Sequence, residues 1–333
     1  MDLDNHTPLP AAHVQSGHGD EMLTLLLVCA TYDIVDGSLV LSKDQLPLRL
    51  APDPSYANDG EMLRDGVSVC VEGFVYPPQG EAKTAAAELC VGEWSQRITA
   101  CGARVWWKGA LGKLKPTEPR PFSRVEMSWE LAFGGTVWRP NMTVEHEGEQ
   151  LLVPEHDEGY VLNLSGTGFY LDETMALEEP LPQLEDPEHL IRTWDDRPEP
   201  VCFAPYPLSG GMRAASLIDD GHPRIERAPR ALGRSCPRTT FSEIPAATLL
   251  KLDGMRPDGE RLSFAVPEPP VSFAVQIGVV EKRLTPQLDA IDVDTEREMV
   301  RLVYRTSFRY PIVAFEKRRV TVEPGVELGQ SPL

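Results

Sequence analysis

The chain has 333 residues, 41% hydrophobic and 25% charged, a balance that supports a folded core and excludes a disordered, collagenous or coiled-coil chain. Its 51 Asp and Glu against 32 Lys and Arg leave a formal net charge of −19, which opposes nucleic acid and anionic membranes as main partners and favours a basic protein. The longest apolar run, Leu25 to Ala30, is bounded by Thr24 and Thr31, far short of the roughly 20 residues that a membrane span needs.

Residues 1–21 are polar and carry Pro8, Pro10 and Gly17, which predicts a mobile N-terminal tail before a fold that starts at Met22. That stretch holds Asp2 and Asp4 but no Lys or Arg, so no secretory leader is expected and the cytoplasm is the expected compartment. Cys29, Cys70, Cys90, Cys101, Cys202 and Cys236 then read as buried thiols. None of them forms CxxC, which argues against a zinc ribbon or a thioredoxin-like motif.

From Leu23 to Ile34 a β-rich run meets Asp36-Gly37 and continues in Ser38 to Leu41, a strand, tight turn and strand. Val67, Val69, Val71 and Val75 recur at even spacing before Pro77 to Gly80, and period two in β-branched residues predicts a strand. ELCVGEWSQRITACGARVWW, from Glu88, reads as two or three short strands. In VEMSWELAF, from Val125, apolar and polar residues alternate strictly, predicting a strand with one buried face. The segment from Thr136 to Leu232 is rich in Pro, Gly, Asp and Glu, and long ordered loops are expected there. Alternation returns around the Pro257-Asp258-Gly259 turn, in VSFAVQIGVV and in MVRLVYRTSF.

With 31 Pro and 26 Gly, helices would be interrupted repeatedly. The expected fold is mainly β: sandwich-like antiparallel sheets with long irregular loops and little helix. One body over residues 22–323 is expected, or two subdomains, about 22–135 and 245–323, joined by 136–244, with 324–333 as a C-terminal tail.

Enzyme signatures are sparse. No GxxxxGK[ST], GxGxxG or GxSxG occurs, and SGTGF at Ser165 reads as a tight turn. His146 and His156 among acids lack HExxH spacing and read as a solvated acidic loop around a Glu147-Gly148 hairpin tip. Asp292, Asp294 and Glu296 alternate like calcium ligands, but Arg297 replaces the turn glycine. No catalytic residue, cofactor, metal or small-molecule substrate is expected. Trp106 and Trp107 would point to opposite faces of a strand, so that one faces outward or another element; an exposed ring there would be a partner contact. Acids and tryptophans together keep open an alternative, a carbohydrate-active enzyme or a carbohydrate-binding β module.

Several strings, taken in order, resemble a known family. They are CATYDIVDGSLVLSKDQLPL from Cys29, VEGFVYPPQGEA from Val71, VGEWSQRITACGARVW from Val91, PRPFSRVEMSWELAFGG from Pro119, NLSGTGFY from Asn163, LPQLEDP from Leu181 and LDAIDVDTEREMVRLVYR from Leu288. Together they are similar to the domain of unknown function 2169 family. The most specific part is Phe133, Gly134 and Gly135, followed by Asn163, Gly166, Gly168 and Phe169, then Leu181, Pro182 and Glu185. The resemblance departs at Leu164, in Pro200 to Arg213 and between Ala214 and Leu249.

Members of that family are usually found with bacterial type VI secretion components. The resemblance therefore implies a non-enzymatic adaptor or chaperone whose partners are an effector toxin, often with a PAAR or Rhs region, and the spike onto which it is loaded. With Trp106 and Trp107, the motif residues are the candidate partner contacts. For the glycines, tight turns are the competing reading.

Overall fold

The computed structural model describes residues 1–50, 58–61, 66–109, 112–146, 149–206, 218–219, 222–223, 235–313 and 317–325. The fold is mainly β, with about 50% strand, 3% helix and mostly antiparallel sheets. Two compact units are interleaved along the chain: one combines Met1–Glu72, Leu208–Lys251 and Leu262–Leu333, the other Gly73–Pro207 and Leu252–Arg261. This replaces the expected split into 22–135 and 245–323. Periodicity locates strands but not which distant strands pair, so a unit assembled from separate stretches leaves no boundary signal.

In the first unit the main sheet runs Ala11–His18, Glu21–Val35, Met299–Pro311, Gln287–Asp294, Val67–Glu72 and Thr240–Phe241, with Ser38–Leu41 also on Glu21–Val35. Leu25 through Ala30 are all at most 3% exposed, which explains a continuous apolar run where a strand with one wet face would alternate. Asp36 and Gly37 take φ of 50° and 77°, the doubly positive turn that suits the twist of a two-residue hairpin. Parallel pairing joins Gln287–Asp294 to Val67–Glu72.

The expected N-terminal tail is instead structured. Ala11–His18 pairs antiparallel with the long strand from Ala11↔Val28 to His18↔Glu21, and Asp2–Asn5 adds in parallel to Arg318–Pro324. Leu9, 1% exposed, lies between them. A strand at a sheet edge keeps one side in water, so its composition is polar and resembles a tail. The expected C-terminal tail beyond Gly325 lies outside the described residues.

Asp292 and Asp294 are tied into bonds within the fold. Asp292 Oδ2 lies 3.1 Å from Arg301 Nη1, and Arg301, itself 3% exposed, also pairs with the buried Asp59. Asp294 Oδ1 accepts the backbone N–H of Glu296 at 3.1 Å and of Arg297 at 3.0 Å, closing the turn before the next strand.

The second unit contains the antiparallel strands Thr84–Val91 and Trp94–Cys101, the latter also pairing with Leu184–Glu185. Its core cluster gathers Trp106, Leu114, Phe133, Tyr170, Ala176, Leu181 and Ile191. Burial alternates from Val125 to Trp129 as expected, but the strand stops at Glu126. Ser128 Oγ accepts the Glu130 N–H and opens a short 3-10 turn at Trp129–Leu131, a local bond that competes with extended pairing.

The largest departure lies in the region expected to be loops. Thr136–Arg139 pairs with His156–Gly159, and Met142–His146 with Glu149–Val153. Both pairings keep one register, from Thr136↔Gly159 to His146↔Glu149. Interrupted by the unpaired Pro140-Asn141 and Pro154-Glu155, the two ribbons follow one another in an arm of about 11 residues per side. The expected Glu147-Gly148 tip lies outside the described residues, as do 214–217, 220–221 and 224–234 of the divergent Ala214 to Leu249 stretch.

Candidate functional site

The motif residues converge on the root of this arm. Phe133–Gly134 bridges in parallel to Thr167–Gly168, with Thr167 N–H donating to Ala132 O and Phe169 N–H to Gly134 O, both at 2.9 Å. Asn163 is 3% exposed. Its Nδ2 donates to Trp129 O at 2.8 Å and to Phe133 O at 3.0 Å, and its own carbonyl accepts the Gly135 N–H at 2.8 Å. One side chain and one peptide group thus join the 3-10 turn, the Phe133–Gly135 segment and the loop after the arm. Asn163 Oδ1 has no hydrogen-bond partner among the described residues.

Close packing explains the glycines. Gly134 has φ of 147°, and a Cβ there would lie 2.1 Å from Asn163 O; Gly168 has φ of 104°, and its Cβ would lie 2.8 Å from Pro182 Cδ. Both the backbone conformation and the space exclude a larger residue. A Cβ on Gly135 or Gly166 would likewise meet backbone, Gly166 O and Ala132 O, each at 2.8 Å. The space in front of the motif glycines is therefore filled by this chain's own atoms.

Pro182 and Glu185 brace the same root. Arg104 Nη2 donates to Pro182 O at 2.8 Å and pairs with Glu185 Oε1; the two side chains are 9% and 2% exposed. Glu185 Oε2 accepts the Ile191 N–H at 3.2 Å. The carboxylate is thus satisfied on both oxygens, which a buried charge requires. Burial pushes the neighbouring Cys101 thiol above its ordinary value; Arg104 opposes that and Glu185 adds to it.

Aromatic rings complete the root. Tyr160 packs edge-on against Phe133 at 4.9 Å and lies 5.8 Å from Phe169, and the Arg197 guanidinium stands 5.0 Å from the Phe169 ring centroid. Trp106 is 1% exposed and belongs to the core, whereas Trp107 is 48% exposed, the opposite facing that adjacent strand positions impose. Trp129 is also buried, with Nε1 donating to Ala204 O at 2.9 Å. Neither Trp106 nor Trp129 presents a face for a ligand to stack on.

Above the root the arm is exposed. Trp138, Met142 and Leu152 are 56%, 36% and 70% exposed, while Arg139 and Glu158 form an ion pair across the strands. Glu155, Asp157 and Glu158 add negative charge beside His156, whose Nδ1 lies 2.9 Å from Pro154 O. Among the described residues each arm strand pairs only with its partner in the arm, and no group of three or more His, Cys, Asp or Glu is placed to hold a metal. The site offers apolar side chains, backbone edges and acids, the components of a protein-binding surface.

Met142, Arg104 and Tyr160 belong to no motif, and Trp138 stands in the sequence only among the tryptophans that could line a carbohydrate or peptide groove. For the arm, a signal was present: the Glu147-Gly148 turn is flanked on both sides by β-formers, Met142 to Val144 and Leu151 to Val153, and extending that pairing outward reaches Trp138. Arg104 has no such signal, because its partner is distant in sequence.

The family model described as an uncharacterized protein conserved in bacteria (DUF2169) matches residues 18–305. No curated protein and no solved structure matches the chain.

Proposed function

The chain belongs to the DUF2169 family, and from that premise we propose that it is a non-enzymatic adaptor-chaperone of a bacterial type VI secretion apparatus. In this reading it acts in the cytoplasm, holds an effector toxin carrying a PAAR or Rhs region, and promotes its loading onto the spike. The observation that carries the reading is the arm: a long two-stranded ribbon with exposed Trp138, Met142 and Leu152 and no third strand on either edge among the described residues. Exposed strand edges invite pairing with another chain, and proteins that need no partner cover or blunt them. The net charge of −19 would steer a basic effector toward the surface and speed encounter.

The test is a pull-down of the tagged full chain from its native cytoplasm at low and moderate salt, with the captured proteins identified by mass spectrometry. Enrichment of a toxin or PAAR-containing protein, reduced by salt, is the expected result. Absence of any such protein, together with a melting-temperature shift caused by members of a glycan library, would reject the adaptor and favour a sugar site.

A further inference from the structure

We propose that the hairpin of Trp106–Lys108 and Leu114–Pro116 carries a docking surface for a short acidic segment of a protein partner, with an apolar residue of that segment set against Trp107. The proposal does not rest on the adaptor reading. The hairpin register is Trp106↔Pro116, Trp107↔Lys115 and Lys108↔Leu114. Bonds from Thr117 N–H to Val105 O at 2.9 Å and from Gly109 N–H to Lys113 O at 3.0 Å extend it at both ends. Alternation then assigns the faces. Trp106 and Leu114 belong to the core cluster, so Val105, Trp107, Lys113 and Lys115 take the outer face. Val105 and Trp107 are 39% and 48% exposed, and both lysines are exposed. The Lys115 stem runs along the same face, since a Cβ on Gly109 would meet its Cδ at 3.6 Å.

The charge on this face is opposite to that of the whole chain. From Val105 to Thr117 there are Lys108, Lys113 and Lys115 and no acid, in a protein of net charge −19. Among the described residues none of these three lysines makes an ion pair, and no ring or cation stacks on Trp107. The acids bonded nearest stand at the hairpin's edges. Glu173 Oε1 accepts the Leu114 N–H at 3.3 Å, and the backbone of Glu178 and Glu179 bonds Trp106 O and N–H at 2.8 and 3.0 Å. Glu118, just beyond the hairpin, pairs with Lys83 at 3.2 Å. The outward-turned backbone groups of Trp106 and Leu114 are thus bonded within the chain, and the side chains of the outer face are what a partner meets.

Charge complementarity selects an acidic occupant, and the size of the patch selects a short one. Membrane-binding basic clusters hold about 4–8 Lys or Arg, and proteins held by nucleic-acid phosphates make about 6–10 such contacts. Three lysines fall below both, and an extended polyanion would also meet the acids of the remaining surface. A short segment senses only charges within the screening length, about 8 Å at physiological salt. Trp is the residue type most enriched among the anchors that dominate protein interfaces, and Trp107 stands directly opposite Lys115.

The probe is a fluorescein-labelled decapeptide of alternating Glu and Leu, titrated into the full chain by polarisation; Lys–Leu and Glu–Ser decapeptides with the same label are the controls. The Glu–Leu peptide is expected to bind most tightly, to weaken as salt rises, and to shift the indole N–H resonance of Trp107, assigned by its loss in Trp107→Ser. Trp107→Ser should weaken binding at least tenfold, and so should Lys113→Gln combined with Lys115→Gln. All three positions are exposed, so unchanged circular dichroism is expected for both variants. Lys113→Arg with Lys115→Arg, which keeps the charge, should bind like the parent.

No saturable binding of the Glu–Leu peptide, equal binding of the Lys–Leu or Glu–Ser peptide, or a shift at Trp138 of the arm in place of Trp107 would overturn the proposal. Tighter binding to phosphatidylserine vesicles or to a thymidine 20-mer, lost in the same variants, would give the face to a membrane or a nucleic acid and overturn it as well. The pull-down decides the adaptor reading separately, because recovery or absence of a toxin or PAAR-containing protein leaves these peptide titrations unchanged.

Discussion

Replacing Asn163 with Ala isolates the bond that holds the arm's root. The substitution removes the donor to Trp129 O and Phe133 O in a site that is 3% exposed. A buried acceptor left without a donor costs about 1–3 kcal/mol. Trp129 O keeps a weaker bond from the Ala132 N–H at 3.3 Å, and the unpartnered Asn163 Oδ1 disappears with the side chain, so the expected loss is about 2–4 kcal/mol. At about 3 °C per kcal/mol for a unit of this size, the melting temperature should fall by roughly 6–12 °C.

Indole fluorescence reads this unit selectively. All 6 tryptophans, at positions 94, 106, 107, 129, 138 and 194, lie within Gly73–Pro207. Urea unfolding followed by fluorescence should show a lower midpoint with the slope retained. Asn163→Asp keeps the shape but turns the donor into a charged acceptor facing two carbonyls, so at pH 7 it should be less stable than Asn163→Ala. An Asn163→Asp protein with the midpoint and slope of the parent would refute the donor role and, with it, this account of the root.

The remaining predictions concern charge and accessibility. Glu185→Ala should cost about 3–5 kcal/mol by stranding buried Arg104, whereas the double change Arg104→Met with Glu185→Leu should recover most of that; equal loss in single and double variants would contradict the pairing. Of the six cysteines, Cys90 is half-buried and the rest are buried, so a thiol reagent at pH 8 should modify Cys90 first and Cys101, with its raised pKa, only on unfolding. Burial by itself would raise the Asp196 carboxyl, but hydrogen bonds from Arg192 N–H, Thr193 N–H and Thr193 Oγ more than reverse this and hold it low. Its stabilising effect should be complete above the ordinary carboxylate range and vanish as pH falls through the lowered folded value. A carboxyl titration by carbon NMR at or above the unfolded value would reject that network.

Much of the β framework was legible because its signals are local. The Leu23 to Ile34 strand, the Asp36-Gly37 turn and the even-spaced valines from Val67 each follow from neighbouring residues obeying the pleat. The N-terminal strands were not legible, since Ala11–His18 has a polar composition that only its pairing with Glu21–Val35 turns into structure. VEMSWELAF misled for the opposite reason: its burial alternates, but a Ser128 side-chain bond ends the strand. The candidate site divides in the same way. Asn163 and the glycines stood out by pattern, while Arg104, 81 residues from Glu185, carried no signal because a side-chain pair of that span is set by the packing of distant segments.

By itself, the sequence determined a folded, acidic, mainly β chain, the positions of its most regular strands, and the order of residues that makes it a member of its family. These properties depend on composition, on period two and on turn chemistry, all of which act over a few residues. The tertiary structure alone decided that two units interleave along the chain, that the acidic stretch after Gly135 is an exposed arm, and that the motif glycines face Asn163, Gly166, Ala132 and Pro182 of the same chain. Which strands meet, and which glycine has no room for a Cβ, depends on segments brought together only when the long-range hydrogen bonds and the core form.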